Sequence, residues 1–160
     1  MEPFPASPEP EYRPNAKGPA PASVQNAVKL IWVSVGLSLI STVLTFTMID
    51  DLVDQAIESA GSGTTLDRDA ARAGVMISLV IGVVIGVALA AMFAYFIGKG
   101  ANWARIVYTV LGVIGVLFGL MGLGNQPALL LVLSIISTLL TIATVFLLFR
   151  PESNAYFKKV

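Results

Sequence analysis

Ile106–Phe149 reads IVYTVLGVIGVLFGLMGLGNQPALLLVLSIISTLLTIATVFLLF, without one charged side chain. A bilayer hydrocarbon core about 30 Å thick is crossed by ~20 apolar residues rising about 1.5 Å each. The stretch is about twice that length, and Gly124-Asn125-Gln126-Pro127 interrupts it in the middle. It predicts two crossings joined by a tight reversal, with Pro127 opening the second, where a missing N–H costs nothing. Leu30–Ile49 and Ala73–Gly98 are also free of charge and close to one crossing in length. The sequence thus predicts four transmembrane helices, at about 26–49, 73–97, 103–123 and 128–149. In lipid, backbone polar groups must be satisfied within each segment. The expected fold is therefore an all-α, integral membrane, up-down four-helix bundle.

Composition agrees with a chain solvated by lipid. The hydrophobic fraction is 56% and the charged fraction 12%, against roughly a quarter charged in soluble domains. The fifteen Leu, Ile, Val and Phe residues of the fourth span favour insertion by roughly 5–9 kcal/mol together. The formal net charge is zero, which gives no basic signal for nucleic acid. Cys and His are absent, removing thiol nucleophiles, thiolate metal sites and imidazole bases. The N-terminus lacks the basic start of a cleavable signal peptide, and its first apolar run, from near Val28, is long enough to span. That run predicts a retained helix.

The segments outside the spans differ in character. Residues 1–25 hold Pro3, Pro5, Pro8, Pro10, Pro14, Pro19 and Pro21 among Ala, Ser and Glu, the composition of a disordered tail leaning to polyproline II. Pro5-Ala6-Ser7-Pro8 has the minimal PxxP spacing, and Ser7-Pro8 and Tyr12 are the tail's candidate phosphorylation positions. Residues 50–72 form the one sizeable polar connection. There Leu52, Val53, Ala56, Ile57 and Ala60 recur at helical spacing, predicting an amphipathic extension of the first helix. Gly61-Ser62-Gly63 ends it, and Thr64-Thr65-Leu66-Asp67 resembles a capping box for the next helix. Residues 151–160 form a short C-terminal tail.

Basic residues set sidedness. Arg13, Lys17, Lys29, Lys99, Arg105, Arg150, Lys158 and Lys159 lie on the side of the termini and the second-to-third connection. Only Arg68 and Arg72 lie in the first-to-second connection, with Asp50, Asp51, Asp54, Glu58, Asp67 and Asp69. Both termini are therefore expected in the cytoplasm, with residues 50–72 outside. Trp32, Trp103, Tyr108 and Tyr156 gather at the cytoplasmic interface. Trp32, Lys99, Trp103, Arg105, Arg150, Lys158 and Lys159 are the candidate lipid-interface residues; the basic ones attract anionic head groups by about 1 kcal/mol each.

Inside the spans the notable pattern is small residues. Gly74, Ser78, Gly82, Gly86, Ala90, Ala94 and Gly98 recur at every fourth position, and Gly112, Gly115, Gly119 and Gly122 follow at 3-4-3 spacing. In lipid such stripes let backbones approach and gain dispersion contacts. They are the candidate helix-packing residues, and the two stripes are natural partners for each other. Ser34, Ser38, Ser41, Thr42 and Thr45 share a face of the first helix, and Ser134, Ser137, Thr138, Thr141 and Thr144 share one of the fourth. These faces are expected to look into the bundle. Asp50, Asp51 and Asp54 lack the ligand loop of a calcium site, so a solvated helix end is expected rather than a metal centre.

Every Asp and Glu lies outside the spans. A proton-coupled exporter needs an ionisable carboxylate in the bilayer, and an intramembrane hydrolase needs a nucleophile with its base or metal ligands. The sequence offers neither. It points to a non-enzymatic membrane protein without cofactor, an accessory or scaffold subunit associating with itself or with a larger membrane or envelope complex. The alternatives are a permeation element using the Ser/Thr faces, or an organiser of anionic lipid.

Gly98-Lys99-Gly100-Ala101-Asn102-Trp103-Ala104-Arg105 and Arg150-Pro151-Glu152-Ser153-Asn154-Ala155-Tyr156-Phe157 resemble segments of small actinobacterial four-helix membrane proteins. Those have a Pro-rich N-terminal tail, a Trp-Ala-Arg start to the third helix, and a Pro-Glu-Ser tail ending in an aromatic pair. The resemblance covers most of the chain. It implies an actinobacterial plasma membrane and carries no function, catalytic residue or binding residue with it.

Overall fold

A computed structural model describes residues 18–61, 67–121 and 127–158. The proline-rich stretch up to residue 17, most of the 61–67 connection, Gly122, the Gly124–Gln126 reversal and Lys159 lie outside them. Among the described residues six helices follow in order: α1 Ala22–Thr47, α2 Ile49–Ser59, α3 Arg68–Gly98, α4 Asn102–Met121, α5 Ala128–Leu148 and α6 Pro151–Lys158. α1, α3, α4 and α5 are long and apolar enough to cross a membrane. The fold is the all-helical bundle the sequence predicts, with α1 and α3 starting at Ala22 and Arg68, before the apolar runs themselves begin.

α1 packs along α5 over most of its length and along α3 on its other side, while α4 closes the ring between α3 and α5. α1 and α4 therefore lie diagonally across the bundle. The turn from α3 into α4 has a clear local cause. Gly100 adopts φ 75°, its N–H bonds the Ile97 carbonyl at 2.9 Å, and the Ala101 N–H reaches back to Phe96 at 2.9 Å. This is the Schellman arrangement, in which a left-handed glycine lets two terminal carbonyls be satisfied.

The two ends of the bundle hold its cores. At the end carrying both chain termini, Val24, Ala27, Ile31, Phe93, Ala94, Ile97, Ala104, Leu148 and Phe157 form one buried cluster. At the far end, Ile49 and Val53 of α2 pack on Ala71 of α3, with Ile57, Val75 and Leu79 beside them. Both triplets are spaced by four, so one stripe lies against the other. Arg68 Nη1 meets Asp54 Oδ1 at 2.6 Å and Arg72 Nη1 meets Asp50 Oδ1 at 2.8 Å, in the order an antiparallel pair requires.

Two elements differ from expectation. The amphipathic extension of the first helix is a separate helix: Met48 leaves the α region at φ −112°, ψ 22°, and α2 turns back onto α3. The segment after Arg150 is the helix α6 rather than a simple tail. Proline is tolerated there because Pro151 is its first residue, where no intrahelical N–H is needed, and Glu152 suits the positive end of the helix dipole.

Candidate functional site

Between the two end cores the bundle is open. None of the most apolar 18-residue window of α3 is buried. A cavity of about 410 Å³ lies here, lined by Ser34, Ser38 and Thr42 of α1, by Ser78, Gly82, Gly86 and Ala90 of α3, and by Tyr108 of α4 and Ser137 of α5. α1's hydroxyl face and α3's small-residue face thus look at the same space. α4 contributes Tyr108 alone, and its later residues Leu117, Phe118 and Met121 are 57%, 70% and 82% exposed. Beyond Tyr108 the cavity has no α4 wall, so it is a groove opening between α3 and α4.

The two small-residue ladders do not meet each other. A Cβ built at Gly74, Gly82, Gly86, Gly98, Gly115 or Gly119 would find nothing within 4 Å. At Gly112 it would come 3.1 Å from Thr141 Cγ2, so this glycine seats α4 against α5. On the α3 ladder, Ala94 enters the terminal core, Gly74 and Ser78 line a shallow hollow beside α2, and Gly82 and Gly86 border the groove. Gly122 falls outside the described residues.

Most of the hydroxyls serve their own helices. Ser41, Thr42 and Thr45 donate to the carbonyls of Leu37, Ser38 and Ser41. Ser78 donates to Gly74, Thr141 to Ser137 and Thr144 to Leu140. Such i−4 bonds satisfy a hydroxyl in hydrocarbon without a partner helix. Ser34, by contrast, has a buried Oγ with no hydrogen-bond partner among the described residues.

The polar side chains of the terminal end form a second constellation, legible in sequence only as a basic rim. α6 folds against the ends of α1, α3, α4 and α5. Ser153, fully buried, donates to Leu147 O at 2.7 Å and lies 2.9 Å from Ser23 Oγ. The Tyr156 hydroxyl donates to Gly98 O at 2.9 Å. Arg105 turns inward: Nη1 donates to Asn154 Oδ1 at 2.6 Å and Leu148 O at 3.3 Å. Its guanidinium lies 4.7 Å from the ring centroids of both Phe149 and Phe157. The Trp-Ala-Arg and Pro-Glu-Ser segments, distant in sequence, are thus joined. Trp32 and Trp103 are half-exposed, Lys99 bonds the Tyr95 hydroxyl beneath it, and Arg150 and Lys158 are exposed; Lys159 lies outside the described residues. At the far end, Asp50 and Asp54 face arginines, and no three acidic groups converge among the described residues.

Four apolar spans capped by two small cores define a multi-pass membrane protein in contact with the lipid bilayer. No protein-family model, curated protein or solved structure matches the chain.

Proposed function

We propose that this chain is a non-enzymatic scaffold of the plasma membrane that works as a pair of identical subunits, each placing α4 into the other's α3 groove. The observation that carries the reading is a match of size and depth. Gly82 lies sixteen residues before the end of α3, about 24 Å along it, and Phe118 lies sixteen residues after the start of α4, again about 24 Å. The unfilled glycine and the exposed aromatic therefore sit at one level of the bilayer. A two-fold axis along the membrane normal preserves depth and makes the contact reciprocal. Leu117, Phe118 and Met121 supply bulk where Gly82 and Gly86 supply room, the pairing by which helices associate in lipid.

Two features favour packing over permeation. The terminal core stops the groove short of the termini-bearing side. Of the lining hydroxyls, those of Thr42 and Ser78 are already bonded to their own carbonyls, and no charged side chain lines the groove. The excess of Lys and Arg around the termini supports a cytoplasmic location for both, with α2 outside.

The chain has no native cysteine, so cross-linking is clean. Two differently tagged copies, one Gly82→Cys and the other Phe118→Cys, are expected to form a mixed disulfide in membranes, whereas Gly82→Cys with Trp32→Cys is not. Absence of that disulfide, with monomers alone after gentle extraction, overturns the proposal.

A further inference from the structure

We propose that the junction of α4 and α6 is a binding site for a phosphate group, presented by the head group of an anionic phospholipid. The inference is independent of the dimer and rests on how α6 distributes charge. Asn154 and Phe157 face Arg105. The Asn154 N–H bonds the Arg150 carbonyl, so Arg150 is the N-cap of α6, its Cα standing one turn before Asn154 as that of Lys158 stands one turn after it. Residues so spaced share one face. That face carries Arg150 at one end, Lys158 at the other and Arg105 at the middle. Each lies about 6 Å of helix rise from the next.

Nothing within the described chain neutralises this row. No carboxylate pairs with Arg105, Arg150 or Lys158 among the described residues. Glu152, the one acid of α6, lies two residues from both Arg150 and Asn154, on the opposite side of the helix, where its Oε2 accepts from Ser23 Oγ at 3.4 Å. Arg105 is half-buried: Nη1 donates to Asn154 and Leu148 and Nε is enclosed, so Nη2 is the nitrogen left for an anion. The two rings and Asn154 hold its guanidinium plane in place, pre-organised for an oxyanion. Three cations in a row at a membrane interface call for an anion there. Trp103, two residues before Arg105 and half-exposed at the start of the same span, sets the level as that of the head groups. A phosphodiester is the anion present at that level.

The test uses the full-length chain in neutral detergent. It is titrated with phosphatidylglycerol, with phosphatidylcholine, and with inorganic phosphate at matched ionic strength. Binding is read by native mass spectrometry and by the shift in unfolding temperature. Phosphatidylglycerol is expected to bind and stabilise, and phosphatidylcholine to do so far less. The double variant Arg150→Gln/Lys158→Gln alters exposed side chains outside the core, so it keeps the fold. It is expected to lose affinity for phosphatidylglycerol about 25-fold, or roughly fivefold per charge. Lys29→Gln/Lys99→Gln, also basic and at the same end, is the off-face control and is expected to lose much less. Equal loss in both double variants means a diffuse basic rim and overturns the site, as does unchanged affinity in the on-face variant. If inorganic phosphate alone matches phosphatidylglycerol, the phosphate comes from a soluble species and the lipid assignment is overturned.

Discussion

Phe157→Ala is expected to release α6 from the bundle. The ring is 1% exposed and sits among Val24, Ala27, Ile97 and Leu148 in the terminal core, so truncation leaves a cavity that only the movement of a short helix can close. Comparable substitutions cost about 3–5 kcal/mol, and one of the two ring contacts to Arg105 is lost as well. Taking ~3 kcal/mol as the part felt by docking, and 1.4 kcal/mol per tenfold, the undocked fraction should rise roughly 100-fold. Ser153→Cys provides the reporter, because Ser153 is 0% exposed on the inner face of α6 and the chain contains no other cysteine. When opening and reclosing are fast, maleimide labelling follows the open population. The reporter should react about two orders of magnitude faster with Phe157→Ala than without it. Tyr156→Phe, which removes the bond to Gly98 O, should accelerate labelling only about fivefold, as for one lost hydrogen bond. Labelling within threefold of the background in Phe157→Ala would mean that α6 is held by something other than its core contact.

Four further outcomes follow from particular contacts. Gly112→Leu should destabilise the bundle by about 1–3 kcal/mol through overpacking against Thr141, while Gly115→Leu should not, since its Cβ meets open space; thermal unfolding in detergent compares them. Gly86→Ile should leave the monomer folded for the same reason yet abolish the mixed disulfide between Gly82→Cys and Phe118→Cys. Val53→Ala removes two carbons from the far-end core and should loosen α2 by about 1.5 kcal/mol, read as faster amide exchange confined to α2. Arg72→Gln should cost less than about 1 kcal/mol, with the loss shrinking in high salt, because both partners of its ion pair to Asp50 are well exposed.

The sequence made the spans legible because insertion depends on local composition. A run either contains charge or does not, and the helix ends at Gly98, Asn102, Ala128 and Leu148 fall within a few residues of where charge or glycine and proline reappear. The α2 stripe was legible in part: Val53 and Ile57 of the expected run pack on α3, while Ile49, which ends the charge-free first span, completes the stripe. Its fold-back was not, because the break at Met48 involves no glycine or proline. α6 carries a signal, proline then acid at a helix start, but Arg150-Pro151 also ends a span, and that ending masks the start of the next helix.

Packing was least legible where the residues are smallest. A side chain specifies its neighbour by shape, whereas a glycine specifies only that something is allowed to come close. Gly112 and Gly82 look alike in sequence, yet one is in contact with Thr141 and the other borders empty space. Nor does spacing reveal that α1 takes α5 as its principal partner, since that choice closes a ring of four helices rather than joining sequence neighbours. Arg105 shows the same limit for charge. Three residues inside a span, it reads as a rim cation reaching for lipid, but the aromatic rings that hold it come from more than forty residues later. That enclosure is what gives a diffuse basic rim one fixed guanidinium, and a fixed guanidinium is what separates a site from an attraction.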